Sequence, residues 1–188
     1  MTASRLQEAA LARFAKQGFD STSMNEIATD VGIKKPSIYA HFRSKDELLL
    51  SLVPLLIEAE LEYAQTILVG GPDTKQQLLA YLESIQERFA TSHRGQFWLR
   101  LLFSPPVHLY DEIMEPMHDF IEDLESIVKK AQQNSPLIHN NNQLSVETLA
   151  INYMSMVDCL QSELLFGGVD KYKRRLKANW MLFEIAIS

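Results

Sequence analysis

The sequence is short of the features that mark many protein classes. A single cysteine, Cys159, among 188 residues excludes an internal disulfide framework and a thiolate-based zinc module. No apolar run approaches the roughly 18 residues that span a bilayer. The opening stretch, MTASRLQEAALARF, carries charges throughout and lacks the apolar centre of a secretory signal. A cytoplasmic, reducing setting without a membrane partner is the expectation. No segment alternates convincingly with period two, and no internal repeat is evident. Catalytic motifs are missing as well. The histidines, His41, His93, His108, His118 and His139, fall outside HExxH-type spacing, and neither a G-x-S-x-G elbow nor a phosphate-cradling glycine loop occurs. Glu58, Glu60 and Glu62 alternate along a helix instead of stacking four apart. No enzyme activity, metal site or cofactor is expected.

Hydrophobic residues make up 46% of the chain and charged residues 22%, ordinary values for a globular protein with a real core. The net charge of −6 is unevenly spread. Residues 1–50 hold seven Lys/Arg against six Asp/Glu, whereas the remainder holds 11 against 18. Between 31 and 45 the only charged side chains are Lys34, Lys35, Arg43 and Lys45, beside His41. A compact positive face on an acidic body is the footprint of a small nucleic-acid contact surface.

Nearly every segment reads as helix. Leu6, Ala10 and Phe14 share one face of a first helix, closed by Gly18 with Phe19 behind it. Ser23-Met-Asn-Glu26 is a capping box, and Met24, Ile27, Ala28 and Val31 follow at i, i+3, i+4, i+7. Gly32 ends that second helix. Pro36 opens a third, in which Ile38 and Phe42 face inward while Ser37, Tyr39, Ala40 and His41 face out. Ser44-Lys-Asp-Glu47 reads as a second capping box, starting a fourth helix that Pro54 should kink before it ends near Val69. Four boundaries divide the rest: Gly70-Gly71-Pro72, Ser104-Pro105-Pro106, a polar loop at 134–142, and Gly167-Gly168. With a further break between a fifth helix ending near Thr91 and a short sixth from about Gly95 to Phe103, they delimit fifth to ninth helices, with Pro116 a kink or split in the seventh. The fold class is all-α with about nine helices.

Helix, glycine turn, helix is common, so three further features matter. The third helix exposes hydrogen-bonding side chains, cations cluster at its two ends, and a long helix follows. The series Ala9-Ala10, Phe14, Gly18-Phe19, Thr22, Ile27-Ala28, Gly32, Ser37-Ile38-Tyr39, His41-Phe42, Ser44-Lys45 and Glu47-Leu48 resembles the DNA-binding domain of the TetR family of bacterial transcriptional regulators. The resemblance covers residues 3–48. It implies a helix-turn-helix domain at 1–46 and an effector-binding and dimerisation domain at 47–188. It also implies phosphate contacts by Tyr39, His41 and Lys45, and base contacts by Ser37 and Asn25. Asparagine suits an adenine edge, and serine accepts either donor or acceptor. Where the family usually carries Ser or Thr this chain has Lys34, which forgoes a helix cap of about 1 kcal/mol. Lys34 and Lys35 are therefore read as phosphate contacts. No basic arm precedes the first helix.

Aromatic and methionine residues crowd the sixth to eighth helices. Trp98, Phe103, Tyr110, Met114, Met117, Phe120, Tyr153 and Met156 are candidate ligand-binding residues for a small apolar or aromatic effector, although such residues at helical spacing also build ordinary core. The last two helices are apolar on more than one side, which argues for a homodimer whose interface would include Leu160, Leu164, Tyr172, Leu176, Trp180 and Phe183. The expectation is a homodimeric regulator on a palindromic double-stranded operator, most simply a repressor released by a small-molecule effector. Two alternatives stay open: a relative working through a protein partner on the acidic seventh helix, and a helical scaffold with a vestigial helix-turn-helix.

Overall fold

A computed structural model describes residues 2–133 and 144–187. The polar loop expected at 134–142, and with it His139, lies outside the described residues. Within them the chain is all-helical: α1 Thr2–Gln17, α2 Met24–Val31, α3 Lys35–Tyr39, α4 Lys45–Leu50, α5 Val53–Leu68, α6 Thr74–Thr91, α7 His93–Phe103, a 3-10 turn at Val107–Leu109, α8 Tyr110–Gln133, α9 Val146–Phe166 and α10 Val169–Ala186. No helix among them is long and apolar enough to cross a membrane.

The expected fourth helix is two helices. The Ser51 hydroxyl donates to Leu48 O at 2.7 Å, closing α4 before Pro54 is reached. Pro54 then sits in the first turn of α5, where its missing N–H leaves no intrahelical bond unmade. Pro116, by contrast, lies inside a continuous α8. Ser92 caps α7 by accepting from Arg94 N and Gly95 N, which starts that helix two residues before the expected Gly95.

Two compact units emerge, one formed by 1–58 with 90–117 and the other by 59–89 with 118–188. In the first, α1 packs against α2, α4 and α7. Its core holds Leu6, Phe14, Ile27, Ile38 and Leu48, none with measurable exposure, and the Phe14 and Phe97 rings lie 5.6 Å apart. Polar ties then fix α2 on α1. Arg13 reaches both carboxylates of α2, with Nη2 donating to Asp30 Oδ1 and Nη1 to Glu26 Oε1, each at 2.8 Å. Arg5 Nη2 donates to Val31 O at 3.0 Å, satisfying a carbonyl at the end of α2. The Ser23–Glu26 capping box forms in full, and Gly32 takes the left-handed conformation (φ 76°) that ends α2.

In the second unit, α9 packs on α10, and tyrosines tie both to α6. Tyr153 donates to Leu78 O at 2.7 Å, and Tyr172 donates to Leu82 O. The charge pair of this unit is Arg88 Nη1 to Glu60 Oε1 at 2.6 Å, with the guanidinium 4.3 Å from the Tyr63 ring centroid. Tyr81 donates to the same carboxylate at 3.3 Å, and burial pushes its phenol above the ordinary range.

Two outcomes follow from these ties. Glu60 retains 12% side-chain exposure, so Arg88→Met strands a largely buried carboxylate and should cost about 3 kcal/mol in urea unfolding. The double substitution Glu60→Leu, Arg88→Met should recover most of that loss, and an equally destabilised double variant contradicts this role for the pair. Hydrogen bonding from Arg13 holds the Asp30 carboxyl below its ordinary value of 3.8, and bonding from Ser23 similarly lowers Glu26. Carboxylates depressed in the folded state contribute stability that is complete above the unfolded value and fades as pH falls through the lower folded one. Asp30→Asn should therefore lower thermal stability at neutral pH and flatten its decline below about pH 4, read from melting temperature against pH.

Candidate nucleic-acid interface

The five residues of α3 form a short helix whose interior is supplied by neighbours on its own chain. Ile38 is fully buried and Phe42, just beyond the helix, is buried too. The Phe42 and His41 amides both donate to Ile38 O at 3.0 Å, so the chain leaves α3 by a tight, hydrogen-bonded turn. With those two anchors inside, Ser37, Tyr39, Ala40 and His41 are exposed, Tyr39 by 44%. Asn25, in the first turn of α2, is exposed as well, and α2 packs against α3. Five of the seven residues assigned from sequence to this surface, Asn25, Ser37, Tyr39, His41 and Lys35, thus point their polar groups to solvent.

Lys34, the sixth, occupies the N-cap of α3 and makes no side-chain cap bond. Its ammonium is exposed, as is that of Lys35, and neither has an ion-pair partner among the described residues. The seventh, Lys45, is differently placed. Its ammonium donates to Phe19 O at 2.6 Å, Thr22 O at 2.9 Å and Asp20 O at 3.4 Å, and lies 4.1 Å from the Phe19 ring centroid. Three donors meet three backbone carbonyls, so Lys45 clamps the turn between α1 and α2 to the start of α4. The phosphate contact expected of Lys45 would draw on donors that these three carbonyls engage here.

Arg43 takes its place as a candidate contact. It is exposed, and its guanidinium has no carboxylate partner among the described residues. The signal for it lay in the basic run at 31–45, where it was counted but not singled out. Next to it the second capping box is only half formed. Ser44 Oγ accepts from Glu47 N at 3.0 Å, but the Glu47 carboxylate accepts from Arg43 N in place of Ser44 N. His108 Nε2 lies 3.1 Å from Asp46 Oδ1 in the same first turn of α4.

The other two residue groups assigned from sequence separate on inspection. Among the candidate effector residues, Trp98, Phe103, Tyr110, Met114 and Met117 belong to the first unit, and Phe120, Tyr153 and Met156 to the second. Phe103 and Tyr110 are exposed; Trp98, Met117, Phe120 and Tyr153 are buried, and Met114 is half-buried. Tyr153 is a strut, its hydroxyl on Leu78 O and its ring 5.7 Å from that of Phe183. Met156 helps line a groove of about 320 Å³ between α9 and α10.

The residues expected at a dimer interface mostly face the core of their own unit. Leu160, Leu164, Tyr172, Trp180 and Phe183 are buried in their own unit, and Leu176 is half-buried. Large aromatic side chains gain most by burial, so they fill the space between α9, α10 and α6. What remains outside is Ile151, Phe166, Val169, Met181, Leu182 and Ile185, with Leu182 and Ile185 more than 70% exposed.

Residues 6–52 match the family model described as bacterial regulatory proteins, tetR family. A Bacillus subtilis (strain 168) protein described as the uncharacterized HTH-type transcriptional regulator YerO is 35% identical over 89 residues, 44% of this chain and 31% of that protein. The Escherichia coli (strain K12) probable acrEF/envCD operon repressor is 27% identical over 184 residues, 92% of this chain and 81% of that one. Three of the curated relatives are matched over only 31%, 43% and 48% of their own length. Among solved structures, reduced Escherichia coli NemR superposes with a TM-score of 0.76 at 15% identity, covering 100% of this chain and 98% of that one. Residues 6–52 thus carry the DNA-binding domain of the tetR family of bacterial regulatory proteins, and the whole chain shares the fold of NemR.

Proposed function

We propose that the chain is a sequence-specific DNA-binding transcriptional regulator that works as a homodimer, with repression as its mode and a small apolar or aromatic molecule as the releasing effector. The observation that carries this reading is the surface of α3. A helix anchored by Ile38 and Phe42 turns every hydrogen-bonding side chain outward, flanked by the uncommitted cations Lys34, Lys35 and Arg43. Ser37 and Asn25 read base edges, Tyr39 and His41 hold phosphates, and the three cations release counterions. In a two-fold dimer two such helices enter successive major grooves of a palindromic operator about 34 Å apart. Repression follows the similarity to the operon repressor of Escherichia coli. The division of labour is DNA binding by 1–46 and effector binding and dimerisation by 47–188. Release requires the effector to favour the DNA-incompetent state, by about 5.5 kcal/mol for a complete population shift.

The homodimer is supported by the outer face of α10. Ala178, Leu182 and Ile185 lie along one exposed line of the helix, and Met181 flanks it. The groove lined by Leu149, Asn152, Met156, Asn179, Leu182 and Phe183 lies beside that line and offers holes for the same side chains of a second copy. Leu182→Glu should convert the protein from dimer to monomer by light scattering at micromolar concentration while leaving its helical content intact. A wild-type chain that is already monomeric there contradicts the homodimer.

Operators are obtained by selecting bound sequences from a random DNA pool, and affinity is then followed against salt. Replacing both Lys34 and Lys35 by alanine should reduce the slope of log K against log salt by about two. Lys45→Met should instead lower the melting temperature and leave the slope unchanged. Undiminished operator binding by the double alanine variant would falsify the assignment of Lys34 and Lys35, and failure of the pool to yield any bound sequence contradicts the DNA-binding reading itself.

A further inference from the structure

We infer that the first unit carries a binding site for a small aromatic monocarboxylate, distinct from the α3 surface. A cavity of about 370 Å³ opens there, at the lower end of the roughly 300–1,000 Å³ typical of small-molecule sites. One wall is the end of α1 with the turn that follows it, and the other is α7 with the Ser104–Val107 segment. Buried Phe14, Leu49, Phe97 and Leu101 contribute apolar surface to its lining. Phe19 adds a third ring, 5.4 Å from that of Phe14. Its position is fixed, because the Lys45 ammonium lies 4.1 Å from its ring centroid and binds its carbonyl. Space beside Gly18 is open, with nothing within 4 Å of where a Cβ would stand.

The polar part of the lining selects the head group. Arg100 is exposed, lines the cavity and has no carboxylate partner among the described residues. A guanidinium accepts a carboxylate in a bidentate fork that no single amide or amine reproduces. Asp20 is the only carboxylate in the lining, and it opposes a second negative charge on the occupant. Three phenyl rings, one unpaired guanidinium and one opposing carboxylate together fit a flat ring bearing a single acid group. An occupant touches the turn ahead of α2 and the helix that supports α1 at the same time. The site goes beyond the DNA-binding reading, and its test involves no DNA.

The full-length chain is titrated with benzoate, benzamide and benzylamine at one ionic strength, followed by calorimetry and by saturation-transfer NMR. Benzoate should bind saturably, benzamide clearly more weakly, and benzylamine not at all. Arg100→Gln should weaken benzoate by about tenfold and remove the preference over benzamide, since charge-assisted bonds to one head group are lost. Ser104→Trp, at an exposed lining position outside the core, should block every probe while leaving the circular dichroism spectrum unchanged. The site is refuted if no probe saturates, if benzylamine binds best, or if benzoate affinity survives both substitutions and so belongs elsewhere on the chain.

Discussion

Presentation of α3 depends on where the Lys45 ammonium goes. By binding the carbonyls of Phe19, Asp20 and Thr22 it closes the turn between α1 and α2 onto the start of α4. The turn carries backbone acceptors that no helix satisfies; Lys45 supplies donors to three of them, and Gln17 and the Thr22 hydroxyl bond Ser21 O and Gly18 O. Arg13 and Arg5 perform the corresponding task on α2, the first through two carboxylates and the second through the carbonyl of Val31. Three of the seven basic residues in the first 50 thus serve to hold the motif together. Of the other four, Lys16 stands on α1, where its charge acts on Asp30, while Lys34, Lys35 and Arg43 lie outside this framework and offer their charge to a polyanion. The positive patch is smaller than a count of lysines and arginines suggests, and it is better placed, because Lys34, Lys35 and Arg43 flank α3.

The same separation of structural from available groups governs the second unit. Tyrosine combines a large apolar body with a hydroxyl that demands a partner, so it is most stable where an internal carbonyl can accept. Tyr153 and Tyr172 find Leu78 O and Leu82 O and thereby join α9 and α10 to α6. With the aromatic residues drawn inward, the apolar residues left outside are mostly aliphatic: Ile151, Met181, Leu182 and Ile185. A contact surface for a second copy is what remains after the unit has satisfied its own core. The first unit shows a related economy in its cavity. Phe14 and Phe97 pack α7 on α1 and also line the space that Arg100 overlooks.

Much of the helix-turn-helix could be read from residues alone, because its determinants are local. The Ser23–Glu26 cap, the left-handed Gly32, Pro36 at a helix start and the i, i+3, i+4, i+7 series from Met24 each act within one or two turns. The same locality explains why Ser37, Tyr39 and His41 were correctly placed outside once Ile38 and Phe42 were placed inside. Residues alone say less where a side chain chooses between partners far apart in sequence. The Lys45 carbonyls lie 23 to 26 residues away, and the Tyr153 and Tyr172 acceptors lie 75 and 90 residues away. Periodicity reports that a helix has two apolar sides; it is silent about which side meets its own domain.

By itself, the sequence determined the all-helical class, the positions of most helix ends, the exposed row on α3 and the family resemblance of its first 50 residues. Each follows from short-range backbone preferences or from a motif carried by contiguous residues. Tertiary structure alone decided the roles within those helices. It assigned Lys45 to the framework and left Arg43 available, and it broke the fourth helix at Ser51 ahead of Pro54. It also turned Tyr172, Trp180 and Phe183 inward and left Leu182 and Ile185 outside. The physical reason is common to all of them: burial and hydrogen-bond satisfaction are settled by packing between distant segments, and one side chain cannot satisfy two sets of partners at once.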